Sequence, residues 1–115
     1  MSRKNPSRAR AGRPSQAALF ASLGDETRLA LVARLCSGRP ASIAQLTSGS
    51  RITRQAVTKH LRVLQDAGIV QSFREGREHL FRLDPRPMHE MQRYLDRVSQ
   101  HWDQALTRLK NFVEE

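Results

Sequence analysis

From Thr53 to Asp66 the chain reads Thr-Arg-Gln-Ala-Val-Thr-Lys-His-Leu-Arg-Val-Leu-Gln-Asp. Wound as an α-helix, this stretch sorts its residue types by face. Ala56, Val57, Leu61 and Leu64 fall inside, and Arg54, Gln55, Thr58, Lys59 and Arg62 fall outside. The outer set can do hydrogen-bond chemistry with DNA. Arg54 can donate to guanine O6 and N7, and Gln55 can pair with adenine N6 and N7. Thr58 can bond a base or touch a thymine methyl. Lys59 and Arg62 suit phosphates, contacts that position a protein without reading sequence. His60 sits at the boundary, where it either donates to DNA or packs under the helix. Lys, Arg and Gln also build ordinary solvated helix faces, so this helix needs its neighbours to decide its role.

Those neighbours are the elements that would position it. Ser42-Ile43-Ala44-Gln45 has the form of a capping box, which starts a short helix with Ile43 and Leu46 turned inward. A Gly49-containing turn follows, so the two helices form a candidate helix-turn-helix. Ser42 at its start and Arg51 in its turn join the DNA-facing set. After Gly68, residues 71–83 fit a β-hairpin with Glu75-Gly76 at its turn. Arg74, Arg77 and Arg82 lie around that turn. Such a two-stranded wing can lay arginine on the backbone or into a narrow minor groove, although Glu75 and Glu78 weaken its field. The bland alternative is a solvated hairpin tip.

Upstream, Ala17–Leu23 reads as a short helix, and Asp25 can cap the next one. There Leu29, Val32, Ala33 and Cys36 form one apolar stripe, with Leu31 and Leu35 beside it. Cys36 therefore reads as a buried, inert thiol. A redox role would lack a second cysteine, since the chain has only one. Downstream, Asp84-Pro85-Arg86-Pro87 launches a last helix over about residues 87–113. Met88, Met91, Leu95, Val98, Trp102, Ala105, Leu109 and Phe112 recur along it in steps of three and four. That stripe is more apolar than one small domain can cover. Met91, Leu95, Val98, Trp102, Ala105 and Leu109 are therefore expected at a homodimer interface, with Leu19 and Phe20 of the first helix joining them.

The fold class is mostly α, in an α+β order of four helices, a hairpin and a helix. Residues 1–14 are basic and polar and read as a disordered arm; residues 15–115 read as one domain. In its 115 residues the chain carries 20 Lys and Arg against 11 Asp and Glu, a net charge of +9. That balance favours a polyanionic partner, double-stranded DNA before an anionic membrane. One cysteine excludes an internal disulfide and a multi-cysteine zinc site. No run approaches the ~20 apolar residues of a membrane span, and no apolar signal segment follows the basic start, so the chain reads as cytoplasmic. No phosphate loop, His-Glu-x-x-His or Gly-x-Ser-x-Gly pattern points to an enzyme. Aromatics are only 5% of residues, which counts against an RNA-binding stacking surface. A winged-helix adaptor for other proteins is the remaining rival.

Three segments resemble a known family. Residues 19–28, Leu-Phe-Ala-Ser-Leu-Gly-Asp-Glu-Thr-Arg, are similar to the opening motif of ArsR-type winged-helix repressors. Residues 53–70 resemble that family's recognition helix, and Glu75-Gly76-Arg77 with Leu80-Phe81-Arg82-Leu83 resembles its wing. The resemblance implies a dimeric repressor released from an operator by a signal, with Arg54, Gln55, Thr58, Lys59 and His60 at the DNA. It also implies a structural role for Asp25 to Arg28. Metal-sensing members carry a Cys-x-Cys-type motif in the third helix or an Asp/His/Glu set in the last. Here the third helix has neither Cys nor His, and His89 and His101 stand about three turns apart. The chain thus resembles the metal-independent branch, with no cofactor expected and the inducer unknown.

Overall fold

Each of the first helices begins on a side chain that satisfies its free N–H groups. Ser15 Oγ accepts from Ala18 N–H at 3.0 Å ahead of α1 (Gln16–Ser22). Asp25 accepts from Thr27 N–H and Arg28 N–H at 2.8 and 3.1 Å ahead of α2 (Glu26–Leu35). Those two N–H groups, Arg28's first, hold the Asp25 carboxyl below its ordinary value against the opposing effect of desolvation. The expected capping box is complete: Ser42 Oγ accepts from Gln45 N–H, and Gln45 Oε1 accepts from Ser42 N–H. It opens α3 (Ile43–Thr47). Thr53 Oγ1 accepts from Ala56 N–H at the head of α4 (Arg54–Asp66). This computed structural model describes residues 15–114, so the arm assigned to residues 1–14 lies outside the described residues.

The end of α4 turns sharply. Gly68 takes φ +83°, its N–H bonds the Gln65 carbonyl at 2.9 Å, and Ile69 N–H bonds the Leu64 carbonyl at 3.0 Å. This is a Schellman closure, in which the residue past the helix also packs against its last turn. Leu64 and Ile69 are both fully buried. The chain is thereby aimed into β2 (Val70–Glu75), which pairs antiparallel with β3 (Glu78–Leu83). Only Gly76 and Arg77 lie between the paired Glu75 and Glu78. Gly76 has φ +65° and Arg77 does not have a positive φ, the pattern of a type II′ turn.

The sheet has a third strand that the sequence did not announce. β1 (Ala41–Ser42) pairs with β3, giving the order β1-β3-β2. β3 is therefore central, and Leu80 and Phe81 on its two faces are both buried, Phe81 within the main core. Leu19, Leu35, Leu61, Leu64, Ile69 and Val57 form the fully buried centre of the core. The phase of α2 differs from the expected stripe. Leu31, Val32 and Leu35 face the core, whereas Leu29 is half exposed. Cys36 caps the helix and is exposed, so the expectation of a buried thiol is corrected. The rows of α2 are close enough in hydrophobicity that only the position of α4 and the sheet selects the inward one.

The last helix, α5 (Pro85–Glu114), starts two residues earlier than expected. Asp84, nearly buried, anchors its start. Its carboxylate accepts from Arg86 N–H, from the Arg86 guanidinium at 2.7 and 3.1 Å, and from Gln71 Nε2 at 3.0 Å. Arg86 is the main cause that holds the Asp84 carboxyl below the ordinary carboxylate range. The architecture is a winged helix-turn-helix followed by a long C-terminal helix. No described helix is long and apolar enough to cross a membrane.

Candidate nucleic-acid interface

α4 is held by one face. Val57, Leu61 and Leu64 are buried to 1% exposure or less, and their spacing of four and three residues makes one stripe. Arg54, Gln55, Lys59 and Arg62 are exposed on the other side. Thr58 is half-buried and donates its hydroxyl hydrogen to the Arg54 carbonyl at 2.8 Å, which leaves its oxygen lone pairs and methyl for an incoming group. Arg51 is exposed in the turn before α4. Ser42 stands at the start of α3 with its hydroxyl oxygen engaged in the capping box. The wing places Arg74 and Arg77 in the open, beside Glu75 and Glu78. Arg82 is different: its guanidinium lies 4.6 Å from the centre of the Phe73 ring and its Nε donates to Gln71 Oε1. It braces the wing from within.

His60 lies away from the outer face. At about 100° per residue it sits roughly 140° round the helix from Gln55. Its Nδ1 is 3.2 Å from Arg28 Nη1 and 3.7 Å from Asp25 Oδ2. The guanidinium has only donors, so at hydrogen-bond distance the ring nitrogen must accept. The longer Asp25 approach lies outside hydrogen-bond range. His60 thus packs beside the helix through Nδ1, the second of the two alternatives read from sequence. Arg28 also donates from Nε to the Ser22 carbonyl at 2.6 Å. The segment 25–28 is thus structural in a specific way: it caps α2 and ties the end of α1 to α4. These partners are 32 residues apart in sequence, beyond the reach of any local pattern.

A family model described as a helix-turn-helix domain matches residues 23–72. The HTH-type transcriptional regulator Rv2034 of Mycobacterium tuberculosis is 34% identical over 92 residues, covering 80% of this chain and 82% of the relative. The solved structure of an ArsR-like transcriptional regulator from Rhodococcus sp. RHA1 superposes with a TM-score of 0.72 at 35% identity, over 85% of this chain and 89% of that one. The chain belongs to the ArsR family. It is a transcriptional regulator of the winged helix-turn-helix class. The HTH-type regulator YuzN of Bacillus subtilis is also similar, 36% identical over 77 residues, 62% of this chain and 84% of the relative.

In this ArsR-family regulator the apolar stripe of α5 divides in two. Met91 is buried and Met88 packs on the core, so the first turns of α5 root it in the domain. The Phe20 ring sits 5.7 Å from Tyr94 and extends that root to α1. Beyond it, Leu95, Val98, Trp102, Leu106, Leu109 and Phe112 are 41–76% exposed, and Ala105 is exposed with them. Leu19 and Met91, assigned from sequence to the dimer contact, belong instead to the protomer's own core; both are too buried to meet a partner. Phe20 remains half-buried at the rim. Among the described residues no group of three or more His, Cys, Asp or Glu is placed to hold a metal ion.

Proposed function

We propose that this regulator is a homodimeric repressor acting in the cytoplasm, which binds an operator of two half-sites through a pair of α4 helices. The observation that carries the reading is the division of α4 into a buried apolar stripe and an exposed face of Arg54, Gln55, Lys59 and Arg62. A helix locked by one face and polar on the other is what a major groove about a helix wide accepts. Arg54, Gln55 and Thr58 read base edges. Lys59 and Arg62 on α4, Arg51 in the turn, and Arg74 and Arg77 on the wing meet phosphates; Ser42 supports the start of α3 beside them. One such helix offers few base contacts, so two act together about one helical turn apart. The exposed stripe on α5, from Leu95 to Leu109, sets that spacing by pairing with its copy. Covering promoter DNA blocks transcription, and the regulator's own promoter is the first target to try.

The reading includes no metal step. His89 and His101 are separated by roughly 18 Å along α5 at the helical rise. The test is a mobility-shift titration of the purified protein on DNA from upstream of its own gene, with scrambled DNA of equal length as competitor. Saturable binding by two protomers per duplex is expected. Binding that scrambled DNA removes equally well would refute operator recognition and favour the adaptor reading.

A further inference from the structure

We infer that His60, held by Arg28, and Gln65, held by Ser72, are positioning residues that fix the roll of the recognition helix, and through it the sequence discrimination of the site. The inference rests on the operator reading above and specifies what sharpens it.

The apolar stripe of α4 sets which face turns inward, but not the roll to within a few degrees. Burial of Val57, Leu61 and Leu64 is favourable in proportion to area and has no direction. Among the described residues, directional bonds from α4 side chains to the rest of the domain lie in two places. His60 Nδ1 meets Arg28 Nη1 at 3.2 Å, and Gln65 Nε2 donates to Ser72 Oγ on β2 at 3.0 Å. Five residues separate His60 from Gln65, which places them about 140° apart around the helix. Val57, Leu61 and Leu64 lie in the arc between them. The two bonds therefore hold opposite flanks of the buried stripe, one to the α1–α2 corner and one to the wing. A roll in either direction stretches one of them.

Both anchors are themselves fixed. Arg28 donates from Nε to the Ser22 carbonyl at 2.6 Å, and its own N–H is bound by Asp25 at 3.1 Å. Its guanidinium is thus oriented before it meets His60. Ser72 is held in register on the sheet, opposite Phe81. The required precision follows from the lever involved. On a helix about 6 Å in radius with side chains, a roll of about 10° moves a side-chain tip by roughly 1 Å. The useful range of an N–H···O distance is about 0.5 Å. Base contacts, which need bidentate geometry at fixed edge atoms, are lost over such a roll, whereas phosphate contacts, which need mainly charge and reach, persist.

The experiment compares His60→Leu, His60→Asn and Gln65→Ala in the full chain. The probes are a duplex that the wild-type protein selects from a randomised library about three helical turns long, and a scrambled duplex of the same composition. Asn keeps an acceptor near the place of Nδ1; Leu does not. His60→Leu should lower the ratio of selected to scrambled affinity roughly tenfold, within the range one misplaced bidentate contact costs. His60→Asn should stay within about twofold of wild type, again on the scale of such a contact. Scrambled-duplex affinity should hold in both. Gln65→Ala, at an exposed helical position, removes the second bond without disturbing the core and should also lose discrimination. An unchanged ratio in His60→Leu or in Gln65→Ala overturns the inference. So does a fall of His60→Asn to the level of His60→Leu, which would make the imidazole itself the contact. A wild-type protein that selects no sequence refutes the operator reading instead, a result distinct from any of these.

Discussion

The heaviest demand on α5 is that its exposed stripe be covered by a second protomer, and Leu95→Glu/Trp102→Glu tests it. Trp102 is 63% exposed in the protomer. A large aromatic carries up to about 250 Å² of surface, so roughly 150 Å² of this one awaits a partner. At about 25 cal/mol/Å² its full coverage stabilises by roughly 4 kcal/mol. Leu95, 52% exposed, adds about 1 kcal/mol on the same scale. An interface covers such surface incompletely, and half coverage leaves about 2.5 kcal/mol per protomer, or about 5 kcal/mol for the symmetric pair. At 1.4 kcal/mol per tenfold, that raises the dimer dissociation constant by more than about three decades. Burying two glutamates instead adds to the loss. Analytical ultracentrifugation over a concentration series should show monomers where the wild type is dimeric. The thermal transition of the winged-helix core should be retained, because neither side chain belongs to that core. Operator binding should be lost with the dimer. A variant that remains dimeric places the interface elsewhere. A monomer that binds the operator as tightly as wild type refutes the two-half-site mechanism.

Other outcomes are expected at the remaining sites. Log affinity for DNA should fall with log salt at about −0.9 per phosphate neutralised, and Arg62→Ala should weaken all duplexes and flatten that slope by about one contact. Arg54→Ala and Gln55→Ala should each relax preference at one operator position by about 1–3 kcal/mol, read by competition with single-base variants. Equal losses on random DNA would show both to be phosphate contacts. Asp84 has its folded-state acidity strengthened, so its stabilisation is present above the unfolded carboxylate value and is lost as pH falls through the folded one. Asp84→Asn should therefore be less stable at pH 7, by about 1 kcal/mol given that the partner Arg86 is largely exposed and screened. That gap should close below about pH 4 in denaturant titrations; a gap constant with pH would exclude the charge. Operator binding should be the same with and without chelator, and release by stoichiometric zinc would overturn the metal-free reading.

Features that act over a few residues were legible in the sequence. Asp25, Ser42 with Gln45, and Thr53 are caps whose partners lie two or three positions away, so residue type and spacing suffice to find them. The hairpin turn and the polar face of α4 were legible for the same reason. Where a tertiary neighbour chooses between near-equal options, the reading failed. Two rows of α2 are apolar, and packing selects Leu31, Val32 and Leu35 while Cys36 is left outside. β1 is two residues long and exists only because β3 passes beside it. The heptad pattern of α5 is continuous, yet Met91 belongs to the domain and Leu95 to the surface. Periodicity reports a face but not what lies against it. The bond between Arg28 and His60 joins two motifs that were each visible, but their contact is a property of the fold.

The bare outer length of α5 has a consequence for abundance in the cell. Every residue from 92 to 114 is exposed in the isolated protomer. A helix with no packed face is only marginally stable in water, because propensity alone barely repays nucleation. In the proposed dimer its order is coupled to finding a second chain. On that proposal, chains that are single at low expression present an apolar helix to proteases, and degradation follows the population of its open form. At high expression pairing removes the segment from attack by mass action. The proposed pairing therefore implies that turnover slows as the protein accumulates, so that the concentration of active regulator would rise more steeply than its rate of synthesis.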